Sequence, residues 1–391
     1  MKLLVILPRV PYPTEKGDKL RAFHQLRVLS KYHDIVLCSL YEQDIDPDAE
    51  KVLGEFCSKM YFFKLNRWGL FVNMLKAIFS CKPFQVAYFY RRSIKNKIKA
   101  IIDAEKPDHI YCQLLRTAEY VKNIDIPKTI DYQDVFSIGI KRRMDKVNLF
   151  LKPVFWSEYV RLRKYENKIF SWFDNKTIIS YPDRDLIPHE NREQIHVIPN
   201  GVDYDFFTAD KTAEPSYDVV FTGNMNYPPN IMACLYLVND ILPLVNKTYP
   251  NCSVLLAGAT PHAKVKQLKS ENVAVSGWLN DIRDAYNNAK IFIAPMQIGT
   301  GLQNKLLEAM SMQKPCITTA LANNALKAVP NEHLLIGNTA QELADCIVRL
   351  LNDAELCTKI GNQAREFILE NYSWEKNTEQ LSNIIINTNK K

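Results

Sequence analysis

Residues 291–319 read IFIAPMQIGTGLQNKLLEAMSMQKPCITT. The stretch opens on a short apolar run (291–295), crosses a Gly-Thr-Gly loop, continues as an amphipathic segment and closes on a second β-prone run (316–319). Leu306, Leu307, Ala309 and Met310 form an apolar stripe with helical spacing, so the unit is strand, loop, helix, strand, the building block of a parallel sheet covered by helices. Lys305 falls in the first turn of that helix. Helix amino ends carry free N–H groups and a positive dipole end, which favour anions, so a cation there predicts a negatively charged ligand.

The same alternation extends in both directions. Upstream, DVVFTG (218–223), SVLLAG (253–258) and VAVSG (273–277) read as further buried strands separated by helical or turn segments. The first half repeats the pattern with KLLVILP (2–8), a helix opening at Asp18, DIVLCSL (34–40), HIYCQL (109–114) and KTIDYQD (128–134). A polar-amphipathic stretch, 155–172, then leads to NKTIIS (175–180) and IHVIPNGVDYDFF (195–207). The expected class is α/β, with two doubly wound, Rossmann-like domains facing across a cleft. Ligands of such sheets bind outside the carboxyl ends of the strands.

The 391-residue length supports two cores rather than one. A net charge of +7 leaves phosphorylated small molecules, an anionic membrane face and nucleic acid open as partners. Nine cysteines without a C-x-x-C pair fit reduced, mostly buried thiols and a cytoplasmic protein better than a disulfide frame or a zinc site. The amino-terminal apolar run, 3–7, is short for a signal peptide and reads as a buried first strand. No transmembrane segment is read from the sequence.

Around Lys305, Gly299 and Gly301 let the backbone approach a ligand closely, with Thr300 between them and Asn304 just ahead of the lysine. Glu308 follows Lys305 at i,i+3. A solvated ion pair is one reading of these two, although Lys before Glu is the less favourable order against the dipole. A phosphate at the helix amino end, held by Lys305, with Glu308 accepting from a vicinal diol such as a ribose, accounts for both residues. Neither H-E-x-x-H nor a Walker lysine loop is present, the Gly-Thr-Gly is not a dinucleotide fingerprint, and no metal cofactor is expected.

Together with HVIPNGVDYDFF, VVFTGNMNYPPN and VAVSGWLNDIRDAYNNAKIFIAP, the 298–319 stretch resembles the sugar-nucleotide half of retaining glycosyltransferases of the GT-B fold, family four. PRVPYPTEKGDKLRAFHQLRVLSKYHDIVLCSLY, 8–41, resembles the start of the same family, particularly its bacterial exopolysaccharide sugar transferases. The resemblance implies an acceptor-side domain at 1–195, a nucleotide-sugar-binding domain at 196–370 and a final helix, 371–391, packing back toward the first. It also implies a hexosyltransferase-type enzyme that moves a sugar with retention from a nucleotide-sugar donor to a glycan or lipid-linked acceptor in cell-surface polysaccharide biosynthesis. Its place would be the cytoplasm or the inner face of the cytoplasmic membrane.

Residue by residue, the resemblance gives Glu308 the ribose hydroxyls and puts Thr300 where many members have a glutamate near the donor sugar. Where members often carry an arginine and then a lysine for the pyrophosphate, this chain has Asn224 after Gly223 and no basic residue before Asn230, so Lys305 and the 299–304 backbone are left with most of the contact. Trp278 stands where members line the base pocket, or packs as an ordinary strand-end aromatic. Gly17 either faces the donor phosphates or simply forms a turn. Asp134 is the candidate cleft residue near the acceptor, with a helix N-cap as the alternative. His24 and His33 read as structural. A GT-B nucleotide-sugar epimerase and a non-catalytic nucleotide-sugar-binding module are the rival readings.

The window 59–100 contains ten Lys or Arg and no Asp or Glu, interleaved with aromatics such as Phe62, Phe63, Trp68, Phe71, Phe79, Phe84, Tyr88, Phe89 and Tyr90. It reads either as a surface for an anionic membrane or as ordinary core with solvated lysines. No nucleic-acid-binding motif accompanies it, so nucleic acid is not an expected partner.

Overall fold

The computed structural model describes residues 1–144, 147–299 and 301–388, with the backbone alone at 67, 68, 70, 71, 75 and 76. They form two units, Met1–Pro199 with Trp374–Lys391, and Asn200–Ser373.

The first unit is built on a seven-stranded parallel sheet. In chain order its strands are β1 (Lys2–Leu7), β2 (Asp34–Tyr41), β3 (Lys59–Lys64), β4 (His109–Gln113), β5 (Lys128–Asp131), β6 (Asn175–Ile178) and β7 (His196–Val197). Their spatial order is β3-β2-β1-β4-β5-β6-β7, so the winding reverses between β1 and β4. Leu3 to Leu7 are at most 1% exposed, the continuous apolar run of a strand covered on both faces. Successive residues of β1 serve opposite layers: Leu4 and Ile6 join one apolar cluster, Leu3, Val5 and Leu7 the other. The second cluster also takes Leu381 and Ile385 from the final helix, Trp374–Thr388. That helix lies on Gly17–Leu29, with Trp374 stacked on His24 at 4.9 Å and Ser382 within 2.8 Å of His33 Nε2. Both histidines therefore serve packing.

β3 puts the first residues of the 59–100 window into the sheet, in line with the ordinary-core reading of that part. Its register on β2 pairs Cys38 with Tyr61 and Leu40 with Phe63, so the edge of the sheet absorbs these aromatics.

The second unit has six parallel strands, β8 (Tyr217–Thr222), β9 (Val254–Ala257), β10 (Val273–Gly277), β11 (Ala289–Ala294), β12 (Cys316–Thr318) and β13 (Leu335–Ile336), in the order β10-β9-β8-β11-β12-β13. Its winding reverses between β8 and β11. One helical run here, Pro228–Val245, is long and apolar enough by length and composition to cross a membrane. Ala233, Cys234, Leu237, Ile241 and Val245 bury its inner face in the core of this unit.

Candidate functional site

At the β8/β11 reversal, neighbouring strands are continued by different helices, the place in a doubly wound sheet where ligands bind at the strands' carboxyl ends. The chain leaves β8 through Gly223 and Asn224 and enters the helix Pro228–Tyr236; it leaves β11 and, after Gly301, enters the helix Asn304–Ser311. Glycines end the neighbouring strands. Gly223 (φ 150°), Gly258 (φ 145°) and Gly277 (φ 72°) all lie at positive φ, which costs glycine least. The first two also touch: a Cβ on Gly258 would sit 1.8 Å from the Gly223 carbonyl oxygen. The Gly223 N–H donates to Ala257 O at 3.0 Å and the Gly258 N–H to Gly277 O at 3.2 Å, so the three strand ends are tied into one floor. Gly299, at φ 100°, makes the corresponding turn after β11.

Lys305 stands over this floor. Its Nζ donates to Asn230 Oδ1 at 2.5 Å, lies 4.5 Å from the Phe221 ring centre, and would be 3.2 Å from a Cβ on Gly223. Asn230 in turn donates to Asn224 O at 2.9 Å, which joins the two diverging loops through the ammonium. The ion pair with Glu308, one of the two readings of the sequence, is not what holds it: among the described residues Lys305 bonds an amide oxygen instead of a carboxylate. Burial pulls its pKa down to about 8, against the opposing pull of the Glu308 charge. Cys234, nearby, is pushed up to about 12 by burial and stays a neutral thiol, so it does not balance the charge. No side chain caps the helix Asn304–Ser311; Gln303 precedes it and turns its Nε2 to Gly301 O at 2.9 Å. An ammonium that bonds no carboxylate among the described residues and an uncapped helix amino end therefore lie together at the β8/β11 reversal.

Glu308 is oriented by Tyr286, which was not singled out in the sequence. The buried Tyr286 hydroxyl donates to Glu308 Oε2 at 2.6 Å and lies 2.9 Å from Thr222 Oγ1 at the end of β8. Burial raises the Glu308 pKa, against the pull of Tyr286 and Lys305. A carboxylate has about four acceptor positions, so one bond from Tyr286 leaves capacity for a diol.

Among the other candidates, Asn304 Oδ1 accepts from Asn200 Nδ2 at 3.2 Å, and Asn224 Oδ1 accepts from the Asn226 N–H and from Thr260, so both amides brace the loops. Trp278 is 65% exposed, which removes strand-end packing as the reason for its presence. Thr300 lies outside the described residues.

In the first unit, Gly17 opens the helix Gly17–Leu29 with no atom within 4 Å of a Cβ built on it and no positive φ, so it is not a turn glycine. Asp134 is exposed after β5, and its Oδ1 accepts from the Val135 N–H at 2.7 Å, a local bond just ahead of the helix Phe136–Met144. The structured polar centre of this unit is Arg21 with Asp131, both fully buried, joined by Arg21 Nε to Asp131 Oδ2 at 2.7 Å and completed by Thr177 at 2.9 Å. This pair ties the first helix to the carboxyl end of β5. In the sequence Asp131 stands only as one residue of the run KTIDYQD, and an arginine inside an amphipathic helix gave no signal of a buried partner.

The described aromatics of 59–100 are mostly covered, as the reading of ordinary core with solvated lysines has them. Phe63 and Phe89 are buried, Phe62, Phe84, Tyr88 and Tyr90 are partly covered, and Phe79 stands out of the surface. The side chains of Trp68 and Phe71 lie outside the described residues.

Residues 216–353, within the second unit, match the family model for glycosyl transferases group 1. Over 96% of this chain and 97% of that protein, the sequence is 24% identical to an "uncharacterized 44.6 kDa protein in cps region" of Klebsiella pneumoniae. It is 26% identical over 117 residues, 29% of this chain and 23% of the relative, to a poly(ribitol-phosphate) alpha-N-acetylglucosaminyltransferase of Staphylococcus aureus. Among solved structures, a sucrose-phosphate synthase from Thermosynechococcus elongatus superposes with a TM-score of 0.70 at 15% identity, covering 98% of both chains. Anabaena HepE in complex with UDP does so with a TM-score of 0.68 at 14% identity, over 99% of this chain and all of the other. The fold is that of the GT-B glycosyltransferases, two Rossmann-like units with parallel sheets.

Proposed function

We propose that the protein is a retaining hexosyltransferase of glycosyltransferase family four. It moves a sugar from a nucleotide-sugar donor to a glycan or lipid-linked acceptor in cell-surface polysaccharide synthesis, in the cytoplasm or at the inner face of the cytoplasmic membrane. One observation carries this reading: the Lys305 ammonium, depressed by burial and held by an amide, waits beside an uncapped helix amino end at the β8/β11 reversal. A diphosphate supplies the missing negative charge. The cps-region relative, and the UDP in the HepE structure, agree with the process and with the ligand class.

In the reaction, the bond from the sugar anomeric carbon to the donor diphosphate breaks and a bond to the acceptor oxygen forms on the same face. The acceptor hydroxyl proton passes to the departing phosphate oxygen. Lys305 and the first-turn N–H groups stabilise the charge that grows on that oxygen, a role requiring fixed donors in a crevice that excludes water. Glu308, oriented by Tyr286, fixes the ribose; the backbone of 299–304 lies along the phosphates, and no metal ion is required. Trp278, open to solvent, offers a face for the base. Asp134, in the first unit, is the residue assigned to the acceptor.

The test is a thermal-shift screen against UDP-, GDP- and dTDP-sugars, followed by donor hydrolysis with the best of them. A specific donor raises the melting temperature with the logarithm of its concentration. Turnover with release of the nucleoside diphosphate supports transfer; tight binding without turnover supports a binding module, and interconversion of sugar isomers an epimerase.

A further inference from the structure

The first sheet reverses its winding between β1 and β4, and the residues just past these strands take no part in the donor site. Such reversals are where doubly wound sheets take ligands, at the carboxyl ends of the strands. Leu114 follows β4 at φ 62° and Gln133 follows β5 at φ 60°, so two residues with side chains are held in the left-handed region at the ends of neighbouring strands. Backbone strain of this kind gathers at functional sites. Gln133 is also 6% exposed, and its Nε2 has no hydrogen-bond partner among the described residues.

Arg116, three residues beyond β4, brings a cation to this edge. Its guanidinium carbon lies 4.8 Å from the ring centres of both Phe89 and Phe136, and its Nη2 donates to Gln85 Oε1 at 2.9 Å. The Nε is buried and has no partner among the described residues. Burial pulls the Arg116 pKa down to about 10; Arg9 and Arg143 pull the same way, and Asp18 and Glu42 pull against them. Those two carboxylates are engaged elsewhere, Asp18 by Arg9 and Glu42 by the Tyr88 hydroxyl at 2.5 Å. Other arginines of this unit are occupied. Arg21 pairs with Asp131, while Arg91 and Arg161 each give three hydrogen bonds to backbone carbonyls. Arg116 bonds a neutral amide, so its rigid fork of donors is largely unused.

We propose that Arg116 sets the substrate specificity of the first unit by binding an oxyanion, phosphate or carboxylate, carried by the sugar acceptor. A guanidinium held between two rings is already oriented for a bidentate contact, and an oxyanion supplies both the missing charge and a partner for the unused N–H groups. Asp134, the residue assigned to the acceptor, stands two positions before Phe136 and so belongs to the same edge. The acceptor is then an acidic molecule rather than a neutral glycan. The anion site stands on the first unit alone; its assignment to the acceptor rests on the transferase reading.

The experiment reads the melting temperature of the full chain in phosphate-free buffer with glucose 1-phosphate, glucuronic acid and the neutral methyl glucoside as probes. Glucose 1-phosphate is expected to stabilise the native chain and the Lys305→Ala variant alike, and methyl glucoside to stabilise neither. Arg116→Gln weakens the anion binding roughly tenfold or more. Gln85→Glu does the same by setting a carboxylate on Nη2, while the melting temperature without ligand holds or rises. An arginine that only packs would gain that stability and leave the anion response untouched. Stabilisation by glucuronic acid as well makes the site one for acidic sugars in general, and a response to the phosphate alone makes it one for phosphorylated acceptors; both support the assignment. Absence of any anion response in the native chain overturns it, as does a response that survives both Arg116→Gln and Gln85→Glu. Loss of the response in Lys305→Ala instead would put the anion at the donor helix and equally overturn it. Nucleotide-sugar binding tests Lys305 separately, so either reading can fail alone.

Discussion

At the scale of single residues, the functional argument rests on how Lys305 is held. A surface lysine would be solvated or paired; this one donates to Asn230, lies over Phe221 and has its pKa lowered by burial to about 8. Anion binding needs the charged form, which predominates below that value. Donor affinity is therefore expected to be greatest below about pH 8 and to fall as pH rises through it, and titration calorimetry across that range checks this. Lys305→Arg, charged throughout, flattens the profile. Fold stability moves the opposite way: between pH 8 and the ordinary lysine value of 10.5 the unfolded chain binds the proton more tightly, so this group's contribution makes the fold more stable as pH rises. A donor affinity that stayed flat up to pH 10.5 would show that the ammonium takes no part.

At the scale of elements, the site is the meeting of three strand ends with one helix. The 291–319 stretch displayed its strand, loop and helix in the sequence because each has its own period, and Leu306, Leu307, Ala309 and Met310 are all buried as the stripe required. The terminal glycines of VFTG, LLAG and VSG were equally visible, but their mutual contact was not, since it depends on β8 and β9 being neighbours. For the same reason Asn230 and Tyr286 escaped notice: each acts on a residue 75 or 22 positions away, through pairing that the sequence does not display. Strand β3 was hidden because KMYFFK mixes charge and aromatics at the sheet edge. Gly258→Ala tests the floor directly. The new Cβ meets the Gly223 carbonyl at 1.8 Å and the residue must hold φ 145°, so unit 2 should lose at least about 1–3 kcal/mol, read as a lower melting temperature with donor binding impaired. An unchanged melting temperature would mean that the two strand ends are not packed this way.

At the scale of the whole molecule, two units with separate cores follow from a length that one core does not serve. The alternation of strands and helices announced both. The division falls at Pro199 and Ser373, and the final helix is part of the first unit, with Leu381 and Ile385 in the cluster of Leu26 and Leu29. The buried Arg21–Asp131 pair, by contrast, joins residues 110 apart and was illegible without the fold. The proposed chemistry is concentrated in the second unit, around one cation. The most direct measurement is the affinity of Lys305→Ala for the UDP-, GDP- or dTDP-sugar that most stabilises the native protein, in a variant whose circular dichroism matches it. Loss of about 1.5–3 kcal/mol of binding, roughly ten- to a hundredfold in the dissociation constant, is the predicted result for removing a charge-assisted contact. Native-like affinity and native-like turnover in that variant would contradict the account.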